Sequence, residues 1–458
     1  MAIIWDKTIT KTLFVGVASL MLFSLAFAGT PEEAAQLKAT LTPLGAEKAG
    51  NADGTIPAWD GGIDPKTTKP FACGPGKFCD PFESEKPLYS ITDKNVDQYA
   101  DKLTDGVKAL IKKHPDTFRV DVYPTHRTAS APQWVYDNTF LNATRAKLVP
   151  GQTGEMPQGA VGGIPFPIPH AGIEVMWNNL LHYQGTGYAW KASNYLTAAD
   201  GVHTLDETHY MRVQMPYFFK ESTPEKFDAS GFYWLVRTSA TAPANHTGQG
   251  LVGRNNVNRD KEESYLYLEG QRRTRKLPNS CCDTPVPGIG LTVSFDEVNV
   301  WNSRMDRFNW KILGKKEIII PYNSNKTWMA PKVTDLLGAH NVNPDYIRWE
   351  LHRVWVVEAT LAPGKSHVMH RSLYYVDEDS WMLMMGDRWD GAGNLVRTIW
   401  NIPFIAPEIP ALWNQTFIAH DLKKDAYVGA NVMGELFELH RFPDQIFTGE
   451  AMAQESVR

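Results

Sequence analysis

The chain has 458 residues with 46 basic against 51 acidic side chains, a net charge of −5, a hydrophobic fraction of 43% and four cysteines. A mildly acidic balance without a basic tail makes a poor nucleic-acid binder. The length allows one large domain or two ordinary ones, and no Gly/Ser linker, low-complexity tract or fixed-period repeat divides it.

Lys7 and Lys11 precede the uncharged run TLFVGVASLMLFSLAFA, which ends in the small-x-small pattern Ala26-Phe27-Ala28 before Gly29. These are the basic start, apolar stretch and cleavage site of a secretory signal peptide, so residues 1–28 are expected to leave after Ala28. The run is short for a membrane span and lacks a basic stop-transfer flank. Removing Asp6, Lys7 and Lys11 takes the net charge to −5 − (+1) = −6. The expectation is a soluble exported protein.

Next, TPEEAAQL offers Thr30 as N-cap, Pro31 at the first helical position and acidic residues in the first turn. Cys73 and Cys79 flank GPGKF, whose Pro-Gly pair turns the chain back, so a small-loop disulfide is predicted there. Residues 95–113 carry Tyr99, Leu103, Val107, Leu110 and Ile111 at helical spacing. Further helices are predicted over 133–148 and 172–182, the last with the stripe Ile173, Met176, Trp177, Leu180 and Leu181.

From about residue 186 the pattern turns to strands. HYMRVQMPYFF, GFYWLVRTSA, SYLYLEG, QRRTRKL and KEIIIPY are short, rich in β-branched and aromatic residues, and bounded by turn formers. GQGLVG (248–253) satisfies a dinucleotide-loop string, but no helix follows it, so a flexible loop is expected and no cofactor is assigned. YLYLEGQRRTRKLP (265–278) reads as a hairpin whose Arg272, Arg273, Arg275 and Lys276 form a local cationic patch. Cys281 and Cys282 are adjacent, a strained pairing, and four cysteines leave three pairings open. Paired C-x-x-C spacing is absent, so no metal site is assigned.

Between residues 349 and 397, four strand-like runs are divided by Ala362-Pro363-Gly364, Asp377-Glu378-Asp379-Ser380 and Asp390-Gly391-Ala392-Gly393, the signature of an antiparallel meander. His367 and His370 fall in a predicted strand on opposite faces, wrong for joint ligation of a metal. DRWDGAGN reads as a turn and NIPFIAPEIPALW (401–413) as an apolar loop. The order is α+β: helices to about residue 185, then a large antiparallel sheet to residue 458, in one domain spanning 29–458.

A strand with one wet face alternates apolar and polar residues. FYWLV (232–236), VWVV (354–357) and WMLMM (381–385) do not, so both of their faces are expected to be covered, by protein or by a greasy cavity.

The segment LTPLGAEKAGNADGTIPAWDGG (41–62), together with APQWVYDNTFLNATRAKL, YLYLEGQRRTRKLP, DTPVPG and RVWVVEATLAPGKSHVMHRSLYYVDEDSW, resembles a family of Gram-negative periplasmic proteins known only as a domain of unknown function. That family is grouped with the outer-membrane lipoprotein-sorting (LolA/LolB-like) carriers. The resemblance implies a half-open, curved antiparallel sheet closed by helices around a hydrophobic cavity. It also implies periplasmic residence and two neighbours, an outer-membrane β-protein and an inner-membrane lipid exporter. No catalytic residue comes with it.

The leading functional expectation is a carrier or adaptor for a lipid or other hydrophobic molecule, with peripheral membrane contact at most. Tyr233 or Trp234, Tyr265 or Tyr267, Trp355, Trp381 and Met384 are its candidate cavity walls, with the cationic hairpin facing anionic headgroups. A periplasmic hydrolase of esters or polymers, or an assembly partner of an outer-membrane protein, are the other classes.

Overall fold

The structure, a computed structural model, describes residues 29–74, 77–268, 273–277, 281–289 and 293–455. The predicted signal peptide and Arg272 lie outside the described residues.

Helices form where cap and stripe agree, and they are short. α1 (Pro31–Ala35) starts at Thr30, whose hydroxyl accepts from Glu33 N at 3.2 Å while the Glu33 carboxylate accepts from Thr30 N at 2.8 Å. This reciprocal pair satisfies two orphan amides of the first turn. β1 (Ala72–Gly74) and β2 (Lys77–Phe78) then form a ribbon closed by the Cys73–Cys79 disulfide. After β3 (Tyr89–Ile91) the expected 95–113 helix is broken. A 3-10 turn covers Val96–Tyr99, and α2 (Asp105–Lys113) begins only after Thr104, whose hydroxyl accepts from Val107 N. β4 (Val120–Val122) leads to α3 (Gln133–Arg145), which ends early because β5 (Lys147–Val149) peels away to pair with β6 (Met156–Gln158). α4 (Gly172–Leu180) follows its predicted stripe, with Val175, Met176 and Trp177 buried.

β7 (Gly187–Thr197), β8 (His203–Gln214), β9 (Phe232–Ala242), β10 (Gly250–Asn256), β11 (Glu263–Leu268) and β12 (Arg273–Lys276) form one antiparallel meander. β13 (Phe308–Pro321), β14 (Trp349–Leu361), β15 (Arg371–Asp377), β16 (Leu383–Trp389), β17 (Leu395–Ile405), β18 (Leu412–Asp421) and β19 (Ala426–Glu438) form a second. α5 (Pro224–Ser230) lies between β8 and β9, α6 (Val333–Leu336) between β13 and β14, and α7 (Gly449–Glu455) after β19. β19 pairs antiparallel with β7, placing Tyr427 opposite Thr197 and Phe437 opposite Trp190. The meanders thereby fuse, and with β4 and β3 beyond β14 they make one 15-stranded sheet.

Among the described residues β12 and β13 each pair on one side only, so the sheet stays open. Register shifts at Asn194/Tyr195, Thr208/His209 and Asn255/Asn256 bend the first meander, since an extra residue on one strand forces local twist. The result is the expected α+β architecture, a large curved antiparallel sheet with helices packed on it.

Both faces of the second meander are covered by protein. α4 shares a core with Val357, Leu383 and Ile399, while α2 shares another with Val354, Met384 and Trp400 on the opposite face. The approach of α2 is close. Gly106 N donates to Asp387 Oδ2 at 2.8 Å, and a Cβ at Gly106 would lie 2.3 Å from Asp387 and Thr398. The two-sided apolar runs VWVV and WMLMM are therefore core.

Three local expectations are corrected. GQGLVG is a turn followed by β10, with Gly253 paired between Val236 and Ser264, because the sheet supplies partners that a lone loop would lack. Residues 401–405 and 412–413 are the facing ends of β17 and β18, and the loop is confined to 406–411. His367 and His370 lie between β14 and β15, where His367 is buried off any strand.

Candidate functional site

Residues 281–289 and 293–304 lie between the first meander and the second in the chain, and they fold back over one face of β7–β11. Between this segment and the sheet lies a cavity with about 1050 Å³ of empty space, its open mouth included. Its floor follows strand alternation: Glu207, His209 and Met211 on β8, Trp234, Val236 and Thr238 on β9, Leu251, Gly253 and Asn255 on β10. Trp190 and Phe417 extend the floor, and Val286, Ile289, Phe295 and Val298 form the roof. A mainly apolar, open cleft with a few polar groups has the lining expected of a small-molecule site.

Buried polar contacts hold the roof down. Arg388 on β16 donates from Nη1 to Asp296 Oδ2 at 2.9 Å and from Nη2 to the carbonyls of Asp296 and Val300 at 3.2 and 2.6 Å. His367 Nε2 lies 3.1 Å from the same carboxylate. Burial opposes ionisation of Asp296, but Arg388 and His367 outweigh it and pull the carboxyl down to about 2. Asn299 and Val300 adopt φ of 51° and 71°, rare values for residues with a Cβ and most unusual for a β-branched one, so these contacts maintain a strained turn. At the other end Arg259, after β10, donates to Asn302 Oδ1 at 2.9 Å and to Ser303 O at 3.0 Å while paired with Glu262. Burial raises the Glu262 carboxyl despite the pull of Arg259. Asn194 Nδ2 donates to Gly288 O at 2.6 Å. Cys281, on the cavity wall, is bonded to Cys282.

In the cavity, His209 Nε2 meets Asn431 Oδ1 at 2.9 Å, and its Nδ1 lies 3.4 Å from Glu207.

A second cavity, with about 580 Å³ of empty space, adjoins the first and shares Trp234, Asn299 and Asn302 with it.

Two clusters have metal-ligand composition. In the first, His114 and His340 stack 4.5 Å apart with ring planes 5° from parallel. Ring nitrogen lone pairs lie in the ring planes, so parallel stacked rings do not converge on one ion, and Lys113 already sits 3.0 Å from the shared Asp425. In the second, Asp379 is engaged by Arg127 at 2.9 and 2.6 Å, and Asp377 accepts from Ser380 and Tyr322. Burial and the Asp379 charge push Asp377 up to about 6.

Of the predicted wall residues, Trp234 lines both cavities and Tyr233 lines the second. Tyr265 and Tyr267 turn to the opposite face of β11, packing with α7 near Gly449 and Met452. Trp355 stacks on Trp381 at 6.2 Å beneath the Lys315 ammonium, and Trp381 Nε1 donates to Leu44 O at 2.7 Å. Met384 is in the core shared with α2. Arg273 and Arg275 are exposed on the edge strand β12, and their pairing with Leu268 and Leu266 puts them on the cavity side of the sheet. Lys276 points the other way, 5.9 Å from the Tyr265 ring. The roof and the polar residues Glu207, His209, Arg259 and Asn431 carried no motif. Alternate polar positions within β8 were the available signal.

The chain matches the family described as "Protein of unknown function (DUF1329)" over residues 90–453. It is 37% identical over 472 residues to an uncharacterized protein of Pseudomonas aeruginosa, PA3922, covering 99% of this chain and 100% of the relative. A DUF1329 family protein of Desulfovibrio piger superposes with a TM-score of 0.39 at 12% identity, over 59% of this chain and 92% of that one. The LolA superfamily protein NE2245 of Nitrosomonas europaea gives 0.35 at 12% identity, over 62% and 100%.

Proposed function

The chain belongs to the DUF1329 family of proteins of unknown function, and we propose that it is a non-enzymatic carrier or adaptor that binds one hydrophobic molecule in the cavity between β7–β11 and residues 281–289 and 293–304. The observation that carries this reading is the cavity itself. One face of five consecutive strands presents Trp190, Met211, Trp234, Val236 and Leu251, among polar neighbours, to empty space, whereas the neighbouring meander fills both of its faces with protein. Leaving such a surface to water is unfavourable, and each 100 Å² of ligand apolar area buried there contributes about 2.5 kcal/mol.

The working compartment is the periplasm, and the service is envelope lipid or lipoprotein transport. Two disulfides, Cys73–Cys79 and Cys281–Cys282, suit an oxidising compartment. Among the described residues no helix is long and apolar enough to cross a membrane. Arg273 and Arg275, exposed on the cavity side of the edge strand, are placed to meet anionic headgroups during loading or delivery. An outer-membrane β-protein and an inner-membrane lipid exporter are the partners this role calls for.

Titration of the purified chain with a fluorescent apolar naphthylamine probe tests the reading. Saturable one-to-one uptake, abolished by Leu251→Asp, is expected. Absence of saturable uptake would contradict it.

A further inference from the structure

The charged groups lining the first cavity are unevenly compensated. Arg259 is paired with Glu262, and Arg304 with Asp306 at 3.0 Å and Asp260 at 3.6 Å. Glu207 is different. Among the described residues no lysine or arginine lies within ion-pairing distance of it, and nothing donates a hydrogen bond to its carboxylate. Its side chain is 15% exposed on the cavity wall, and neither oxygen is sealed away from an occupant.

The neighbours of Glu207 have nothing to give it. His209, two residues along the same face of β8, brings Nδ1 to 3.4 Å. Its Nε2 meets Asn431 Oδ1 at 2.9 Å, and a carbonyl oxygen only accepts, so the proton of the neutral ring sits on Nε2. Asn194, directly opposite on β7, spends its Nδ2 on Gly288 O at 2.6 Å and its Oδ1 on Asn431 N at 2.8 Å. The roof comes down on the carboxylate at Gly288, where φ is +80° and a Cβ would lie 2.9 Å from Glu207 Oε2. That approach requires glycine.

The cavity therefore has an acidic end, held between floor and roof by groups that leave its charge uncompensated. Burying a carboxylate without a partner is costly, and a positive group on the occupant offsets the cost. A second carboxylate or a phosphate placed there is repelled, the more so beside apolar walls. Arg273 and Arg275 do not line the cavity, so their attraction to a membrane surface is separate from the choice of cargo.

Resting on the carrier reading, we infer that Glu207 is the specificity-determining residue of the cavity and that the cargo is an amphiphile with a protonated amine. The ammonium group pairs with the Glu207 carboxylate beside Gly288, and the apolar body lies along Met211, Trp234, Val236 and Leu251. The cargo class is then cationic, not a fatty acid or another amphiphile whose only head is an anion.

The test is competition against the naphthylamine probe by three ligands with one chain and different heads: oleylamine, oleyl alcohol and oleate. Oleylamine is expected to bind at least about tenfold more tightly than oleyl alcohol, the worth of one charge-assisted hydrogen bond, and oleate more weakly than either. Glu207→Gln, which keeps the shape and removes the charge, is expected to bring oleylamine to the affinity of oleyl alcohol, and Glu207→Lys to put oleate first. The ligand series on the parent chain decides the matter if neither variant folds. Equal affinities for the three ligands on the parent, the outcome if water alone solvates the carboxylate, would overturn the selectivity and leave the carrier reading standing. Tightest binding of oleate would overturn the cationic assignment, and an amine preference that survives Glu207→Gln would overturn the part given to Glu207. Failure of every ligand and of the probe would overturn the carrier reading and the selectivity with it.

Discussion

Arg388 and Asp296 form a fully buried ion pair at 2.9 Å that ties strand β16 of one meander to the segment roofing the cavity of the other. Removing the Asp296 carboxylate leaves Arg388 charged in a dry place with only the more distant Glu297, at 3.9 Å, to balance it. Asp296→Asn is therefore expected to lower stability by roughly 3–5 kcal/mol, read as a shift of the urea midpoint. Because the same arginine holds the Val300 carbonyl at 2.6 Å, probe affinity should fall as well.

Acid should act through the same carboxylate. Its folded value of about 2 lies below the unfolded value of about 3.9, so the stability it contributes is present above pH ~4 and lost as pH falls from ~4 to ~2. Denaturation curves of the wild-type chain and Asp296→Asn, compared across that window, should converge toward the acid end. Parallel curves would contradict the assignment.

His182 gives the same sign in a different window. Burial puts its folded value near 4, below the unfolded ~6.5, so the unfolded chain takes up the proton first. Stability attributable to the neutral ring is complete above pH ~6.5 and declines as pH falls toward ~4. His182→Gln should show a shallower loss of unfolding free energy between those limits.

The apolar floor can be tested by truncation. Trp234→Ala removes the ring shared by both cavities and should cost roughly 1.5–3 kcal/mol of binding, about a 10- to 100-fold rise in probe Kd. Met384→Ala, which lines neither cavity and sits in the core shared with α2, should instead cost about 2–5 kcal/mol of stability and leave the probe Kd near that of the parent.

Reversing the exposed edge charges with Arg273→Glu and Arg275→Glu should leave stability within about 0.5 kcal/mol, as for most surface changes. Sedimentation with vesicles containing anionic lipid should weaken at low salt, with little difference from the parent at high salt, where such attraction is screened.

The sequence made the scaffold readable wherever local chemistry and final structure agree. Thr30 and Thr104 sit as caps because their hydroxyls have nearby amides to accept from, and the turns at 362–364, 377–380 and 390–393 separate β14 to β17 as their residue types require. The cavity was less legible. Strands apolar on both faces give no parity signal, so Trp234 could not be told from Tyr267 as a wall until register and packing placed Tyr267 under α7. The roof, residues 281–289 and 293–304, has no regular period, and arginines elsewhere in the chain hold it at Val300 and Ser303. Gln184, Asn401 and Asn414 meet only through the pairing of β17 with β18 and the packing around it. No local pattern marks residues so far apart.

The most direct measurement is mass spectrometry on the protein produced by export into a periplasm and purified without detergent, run intact under native conditions and on its organic extract. The account predicts a near-stoichiometric hydrophobic molecule that is lost from Leu251→Asp. An empty protein that also fails to take up apolar probes would contradict it.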